Sequence, residues 1–327
     1  MKHTYRVTAL STIRVLTFNT WLLRTPFGLD LAKDVDDRLD RIPEALAETG
    51  ADILCLQEIW APLFRQRIAE KMAALGYPFS AGLQAPPATT RWPVLRYSHG
   101  YFGNGLMILS RFPIAREQPA LAFENFTRAD EVFVRKGAIA VEIEAPGGLR
   151  LLVCNSHLGA VSFSTSRGKY DGGHVVKRLR QTRELARWLG ALPHAGPLVL
   201  AVDLNVHVHA WSRGQHIEDL SGEVALLLGK RLKKFHLKEP SLELGAHRPT
   251  PQWTFHCHNP YVASGFFGHL PNEVTDYLFY RPFPGWQPKR VDRIFVPEGV
   301  ASLAPGTTPL SDHYGILAEF EWAPSQN

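Results

Sequence analysis

Short apolar runs rich in β-branched residues recur along the chain, and each ends in polar chemistry rather than in a simple turn. Residues 13–18 lead to Asn19, and residues 53–56 lead to Gln57 and Glu58. Residues 149–154 lead to Asn155-Ser156-His157, and residues 197–202 lead to Asp203-Leu204-Asn205. Apolar runs of this length bounded by turn residues predict buried strands. Further strands are predicted over 105–109, 138–143 and 314–320, with Gly147-Gly148 as a hairpin turn. Residues 274–280 and 290–296 read as neighbouring strands.

Two segments carry helical spacing instead. Leu39, Ile42 and Leu46 fall on one face of a helix that closes near Gly50, with Pro43 expected in an early turn or at a kink. Residues 174–188 form a second amphipathic pattern, with Val175, Val176, Leu179, Leu185 and Leu189 as its apolar positions. Lys177, Arg178, Arg180, Arg183 and Arg187 read as its solvated face. Strands interleaved with two or three helices predict an α/β fold, a four-layer sandwich of two packed mixed β-sheets flanked by helices. No linker or internal repeat divides the 327 residues, so one domain over 1–327 is expected.

Composition narrows the class without naming the chemistry. Apolar residues make up 45% of the chain and charged residues 20%, which excludes a disordered polymer. A formal net charge of +5 leans toward an anionic partner. Cys55, Cys154 and Cys257 cannot all pair with one another; the two inside apolar runs read as buried free thiols, which fits a reducing compartment. Residues 1–6 lack the apolar core of a signal peptide, and nowhere do 18 apolar residues run together. A cytoplasmic location is expected, extended by peripheral membrane contact if the substrate is a lipid.

An isolated Asn, Asp or Glu after a strand means little, because such residues start turns and cap helices everywhere. Five such sites of complementary chemistry in one chain mean more. Hard divalent cations take oxygen ligands, which Asn19, Glu58, Asp203, Asn205 and Asp312 offer. Phosphodiester hydrolysis needs a cation to offset oxygen charge, a base for water, and donors for the developing charge. His157 and His313 supply imidazoles for the last two. His256-Cys257-His258 lacks the spacing of a zinc site, its ligands being adjacent.

The ordered set Thr17-Phe18-Asn19, Leu56-Gln57-Glu58, Asn155-Ser156-His157-Leu158, Val202-Asp203-Leu204-Asn205, Thr275-Asp276-Tyr277 and Ser311-Asp312-His313 resembles the endonuclease/exonuclease/phosphatase superfamily, with its DNase I-like fold. The motifs span 13–320. Within it, Asn19-Thr20-Trp21, Gln57-Glu58-Ile59-Trp60, the segment 103–114, Lys136-Gly137 and Thr308-Pro309-Leu310 are most similar to the neutral sphingomyelinases.

The resemblance implies roles. Glu58 is then the principal ligand of Mg²⁺, or of Mn²⁺ or Co²⁺, with Asn19 beside it and Asp312 near the ion. Asn205 orients phosphate, and Asp203 positions or deprotonates water or protonates the leaving group. His157 donates to transition-state oxygens, and His313 transfers protons, oriented by Asp276 rather than Asp292. Asn104 and Lys136 contact substrate, Lys136 pairing with Glu131 or Asp130 unless it makes only a surface ion pair. The implied reaction is metal-dependent hydrolysis of sphingomyelin or a related phospholipid to a lipid alcohol and a phosphorylated head group. The alternative is an endonuclease or exonuclease acting on nucleic acid; a non-catalytic binding module is disfavoured because every expected polar position is filled. No obligate protein partner is evident. A lipid enzyme needs apolar side chains beside its site, and the candidates are loops at 91–97 and 261–268, with Trp286 in a turn.

Overall fold

The computed structural model describes residues 11–82, 92–125, 131, 133–160, 163–164, 169–170, 172–205, 210–212, 215–217, 237–245, 253–256, 259–264, 272–296 and 308–323. Six strands make the first sheet: β1 (Ser11–Leu22), β2 (Ile53–Ile59), β3 (Phe79–Ala81), β4 (Met107–Ser110), β15 (Trp286–Ile294) and β16 (Gly315–Trp322). Their order is β15-β16-β1-β2-β4-β3. The second sheet contains β5 (Ile114–Glu117), β6 (Leu121–Ala122), β7 (Gly137–Ala145), β8 (Leu149–His157), β11 (Leu198–Asp203) and β14 (Asp276–Arg281). Its order is β14-β11-β8-β7-β5, with β6 also on β7. Two short pairs complete the strands: β9 (Phe163–Ser164) with β10 (Lys169–Tyr170), and β12 (Ala210–Ser212) with β13 (Gln215–Ile217).

Both sheets are mixed. β1 runs parallel to β2 and antiparallel to β16, and β8 runs parallel to β11 but antiparallel to β7. The expected hairpin is present: β7 and β8 are joined through Pro146–Gly148, where Gly147 and Gly148 have φ of 71° and 72°. A side chain at either position would be strained, which accounts for the glycine pair.

Residues alternate across the strands, so each sheet has two distinct apolar faces. The inner faces meet in one core that includes Ile13, Val15, Ile53, Cys55, Val153, Val199, Ala201 and Leu278. The outer face of the first sheet packs on α1 (Val35–Glu48) and α2 (Pro62–Ala74) through Leu16, Phe18, Leu39, Ile42, Phe64 and Ile68. The outer face of the second packs on α4 (Gly172–Ala191) through Cys154, Leu200, Val202, Leu185 and Leu189. Helix, sheet, sheet and helix therefore form the four expected layers. Cys55 and Cys154 are buried free thiols, whereas Cys257 and His258 lie outside the described residues. No helix among the described residues is long and apolar enough to cross a membrane.

Four expectations change. Residues 274–280 and 290–296 are not neighbours, because β14 pairs with β11 in one sheet while β15 pairs with β16 in the other. The turn at 282–285 carries the chain across the sandwich. Of the two places expected for Pro43, the early turn is excluded: it sits in the interior of α1, buried. Residues 93–102 are not a loop but the helix α3 (Pro93–Phe102). Trp286 is no surface aromatic: it stacks on Phe320 with ring centroids 4.7 Å apart, within the inter-sheet core.

Candidate active site

The inner-face alternation that builds the core continues past it. In β1 the series Ile13, Val15, Thr17 ends at Asn19, and in β11 Val199 and Ala201 end at Asp203. In β8 Leu151 and Val153 lead to Asn155 and His157, and in β14 Asp276 precedes Leu278 and Tyr280. Polar residues thus replace apolar ones at one end of the same buried surface. The candidate site is the polar end of the inter-sheet core.

Register aligns its second-sheet half. Asp203 lies opposite His157 on one side and Asp276 on the other, so three chemical groups occupy one row across β8, β11 and β14. Burial pushes the Asp203 carboxyl up to about 7, and the facing Asp276 charge adds to that effect. Asp276 Oδ2 lies 2.8 Å from His313 Nδ1 and also accepts from Thr275 Oγ1 at 2.9 Å. Burial alone disfavours a charged His313, but Asp276, Asp312 and Asp203 outweigh it and raise its pKa well above the ordinary imidazole value. Those carboxylates favour the imidazolium form of His313. Asp292 instead pairs with Arg290 at 2.6 Å on the edge strand β15.

The first-sheet half is tied to this row through Asn19. Its Nδ2 donates to Asp203 Oδ2 at 2.9 Å and to Glu58 Oε1 at 3.3 Å, and its Oδ1 accepts from Trp21 N at 3.0 Å. Glu58 breaks the strand alternation with φ of 61°, a left-handed conformation that is uncommon outside glycine. That twist turns its carboxylate toward the seam, where Oε1 lies 3.7 Å from His157 Nε2. Asn205 has φ of 51° for the same purpose. Backbone strain recurring at two candidate residues is characteristic of a site held by its surroundings.

Below Asn19 a polar pin joins the sheets. Gln57 Nε2 donates to Thr17 Oγ1 at 3.0 Å and to Asn155 Oδ1 at 2.8 Å. Asn155 Nδ2 crosses the sandwich to the carbonyls of Leu56 and Met107, at 2.8 and 3.0 Å. These two motif residues hold the sheets in register rather than facing substrate.

His157 is buried, and its Nε2 lies 3.0 Å from both Lys136 Nζ and Asn205 Nδ2. An ammonium and an amide NH₂ can only donate, so Nε2 is an acceptor. Burial, then the Lys136 charge, holds His157 neutral, well below its ordinary pKa. The N–H groups around this nitrogen belong to Lys136 and Asn205. Both also donate to the Leu158 carbonyl at 3.0 Å. Lys136 sits 3.6 Å from Glu131, and both side chains are nearly buried, so the pair is internal rather than a surface ion pair.

Asp312 and Asn104 border this cluster. Ser311 Oγ donates to Asp312 Oδ1 at 3.1 Å and accepts from His313 N at 3.2 Å, which shapes the turn. Burial raises the Asp312 carboxyl to about 6, opposed by His313 and reinforced by Glu58. Asn104 is buried beside Gly105, whose carbonyl accepts from Ile59 N at 3.0 Å, and its own Oδ1 accepts from Leu106 N at 3.0 Å. Gly105 has φ of +68°, and an added Cβ would lie 2.7 Å from the Trp60 ring. Only glycine fits there.

Sequence reasoning missed several contributors. Arg178, read as part of a solvated face, is buried and donates to the Asn205 carbonyl. Its signal was helical spacing, because Arg178, Thr182, Leu185 and Leu189 share the buried stripe of α4. Thr254 Oγ1 accepts from the backbone N–H groups of Thr275 and Asp276 at 2.9 and 3.1 Å. Arg38 is fully buried and donates to the carbonyls of Thr20, Trp21, Lys33 and Leu310, tying the segment after Asn19 to the one before Asp312. The Arg38–Leu310 contact joins residues 272 positions apart and leaves no local pattern.

The donor set suits a hard dication. Glu58, Asn19 and Asp312 offer only oxygen ligands, and buried carboxylates with raised pKa values are groups that a cation would relieve. Asp203, Asp276 and His313 also present possible ligand atoms within 4.8 Å of one another. There the 2.8 Å contact of His313 Nδ1 with Asp276 is the geometry of a shared proton. The oxygen chemistry around Glu58 suits a hard dication.

The profile of the endonuclease/exonuclease/phosphatase family matches residues 16–313. An inositol phosphosphingolipids phospholipase C of Schizosaccharomyces pombe is 28% identical over 201 residues, covering 59% of this chain and 41% of that protein. The chain spans roughly half the length of the curated relatives it matches. Among solved structures, sphingomyelinase C from Streptomyces griseocarneus superposes with a TM-score of 0.63 at 21% identity, covering 94% of this chain and 99% of that one. D. rerio TDP2 complexed with a single-stranded DNA product gives 0.62 at 18% identity, covering 95% and 99%. Both are likenesses of fold.

Proposed function

The chain belongs to the endonuclease/exonuclease/phosphatase family, and from that premise we propose that it is a metal-dependent phosphodiesterase acting on sphingomyelin or a related phospholipid. The observation that carries the reading is the hydrogen-bonded chain from Glu58 through Asn19 to Asp203, set beside the Asp276–His313 pair. Similarity to a phosphosphingolipid phospholipase C supports the lipid substrate class.

In this reading Glu58, Asn19 and Asp312 hold Mg²⁺ or a similar ion, which when bound offsets charge on the phosphate oxygens. Asp203, with a pKa of about 7, accepts the proton of the attacking water. Lys136 and Asn205, aligned by neutral His157, donate to the developing oxygen charge. His313, protonated and held by Asp276, gives its proton to the departing lipid oxygen as the P–O bond breaks. Asp203 and His313 lie close enough for the proton to return before the next turnover.

The test is a substrate panel with Mg²⁺, Mn²⁺ and Co²⁺: sphingomyelin and other phospholipids in detergent micelles, against duplex, abasic and single-stranded DNA. Release of the phosphorylated head group from a lipid is expected. Cleavage of DNA alone would overturn the lipid assignment.

A further inference from the structure

Large apolar side chains exposed among the described residues are not scattered. Phe27, Leu29 and Leu31 lie in the segment after β1, and Leu63 lies at the start of α2, directly after Glu58 and Trp60. Trp92, Val94 and Tyr97 belong to the start of α3, ahead of Asn104, and Phe133 comes just before Lys136. Phe27 is 93% exposed, Trp92 73%, Val94 71% and Leu63 69%, values close to those of an extended chain. Of the group only Leu75, Val176 and Leu244 lie elsewhere. Every one of the four segments adjoins a strand end or turn that carries a candidate site residue.

The segments are also bound to one another. Tyr101 Oη donates to the Thr25 carbonyl at 3.3 Å, and the Arg24 guanidinium sits 5.1 Å over the Phe64 ring. Buried Arg65 donates to the carbonyls of Ile59 and Trp60, both at 2.9 Å, and to that of Phe102 at 3.3 Å. Ser98 Oγ donates to the Phe133 carbonyl. The apolar residues therefore stand on mutually braced segments that adjoin the candidate site.

Among the described side chains, the charges in and beside residues 24–31 are paired. Arg24 holds Asp30 at 2.5 Å and Asp36 at 3.0 Å, and Arg41 holds Asp37 at 2.7 Å. Exposed aromatic and aliphatic groups with paired charge suit insertion between lipid head groups rather than attraction to a polyanion. Exposed apolar surface of this kind in a soluble fold marks an interaction site.

We propose that the rim formed by residues 24–31, Leu63, residues 92–97 and Phe133 docks the enzyme on a zwitterionic phospholipid surface, chiefly by apolar insertion, so that a lipid head group enters beside Glu58. This deepens the phospholipid reading above and rests on it. Docking and hydrolysis are separable by measurement. The full chain is co-sedimented with phosphatidylcholine–sphingomyelin vesicles at low and high salt, and turnover is measured on the same vesicles and on a soluble short-chain phosphodiester. Wild type is expected to bind at both salt concentrations. Phe27→Ser combined with Val94→Ser, neither residue being part of the catalytic cluster, is expected to weaken vesicle binding by about a hundredfold, as loss of two inserted apolar side chains implies. Turnover of the soluble substrate is expected to stay within about twofold of wild type, because no site contact is removed. Trp92→Phe is expected to lose part of the blue shift in tryptophan emission on vesicles while still folding. Undiminished vesicle binding by the double variant, or binding by wild type that vanishes at high salt, overturns the docking surface. Vesicle binding through the rim without lipid hydrolysis would leave the docking surface standing and remove the substrate assignment.

Discussion

The two sheets contribute unlike chemistry to one site. The first supplies neutral and carboxylate oxygens, Asn19, Glu58 and Asp312, with Glu58 still partly open to solvent. The second supplies a buried row of His157, Asp203 and Asp276, in which desolvation and neighbouring charge move every resolved protonation equilibrium. Oxygen ligands need access for an ion and substrate, whereas proton-transfer groups need shielding to hold displaced pKa values. The seam between sheets lets one site have both environments. His313 precedes the first sheet's strand β16 in sequence but pairs with Asp276 of the second sheet, so with Asn19 it couples the halves.

This contrast can be broken from either side. Glu58→Gln is expected to lower turnover by about a thousandfold or more, with part of the loss recovered at raised Mg²⁺, since a neutral amide still offers an oxygen. His313→Ala is expected to abolish turnover with folding preserved, and no concentration of metal recovers it. Metal titrations of both variants decide the matter, and identical metal responses would dissolve the distinction between the halves.

A smaller effect concerns the seam itself. Asn155→Leu removes the cross-sheet bonds to Leu56 and Met107 and one of the acceptors of the Gln57 amide, and leaves buried carbonyls without these donors. It is expected to cost about 2–5 kcal/mol in urea unfolding, through unsatisfied buried polar groups. A stability change within about 0.5 kcal/mol, the range of surface substitutions, would show that the pin is dispensable.

The smallest effect is pH-dependent. Burial raises the Glu273 carboxyl from its ordinary 4.5 to about 8, and its Oε1 has no hydrogen-bond partner among the described residues. The folded protein holds this proton while the unfolded chain releases it above pH 4.5. Its contribution is thus fully present below that pH and is lost as pH rises through about 8. Glu273→Gln, which mimics the protonated acid, is expected to lose less melting temperature between pH 5 and pH 9 than wild type does. Parallel melting curves for the two proteins across that range would refute the assignment.

What could be read along the chain was whatever repeats locally. Short apolar runs announced the strands, and the residue after each run marked the candidate chemistry, because a strand places its last inward side chain at the end of the core. The ordered motifs therefore marked Asn19, Glu58, His157, Asp203, Asn205, Asp276, Asp312 and His313 before any coordinates. Tertiary structure alone decided how those groups act. It put Lys136 and Asn205 against His157 Nε2, making that imidazole an acceptor, and brought Arg178 out of an apparently solvated face to the Asn205 carbonyl. It also sent β14 and β15 to different sheets and braced separate apolar segments against one another. Periodicity is a property of neighbouring residues, whereas protonation, donor direction and the company of distant side chains depend on burial and contacts that exist only once the sheets have packed.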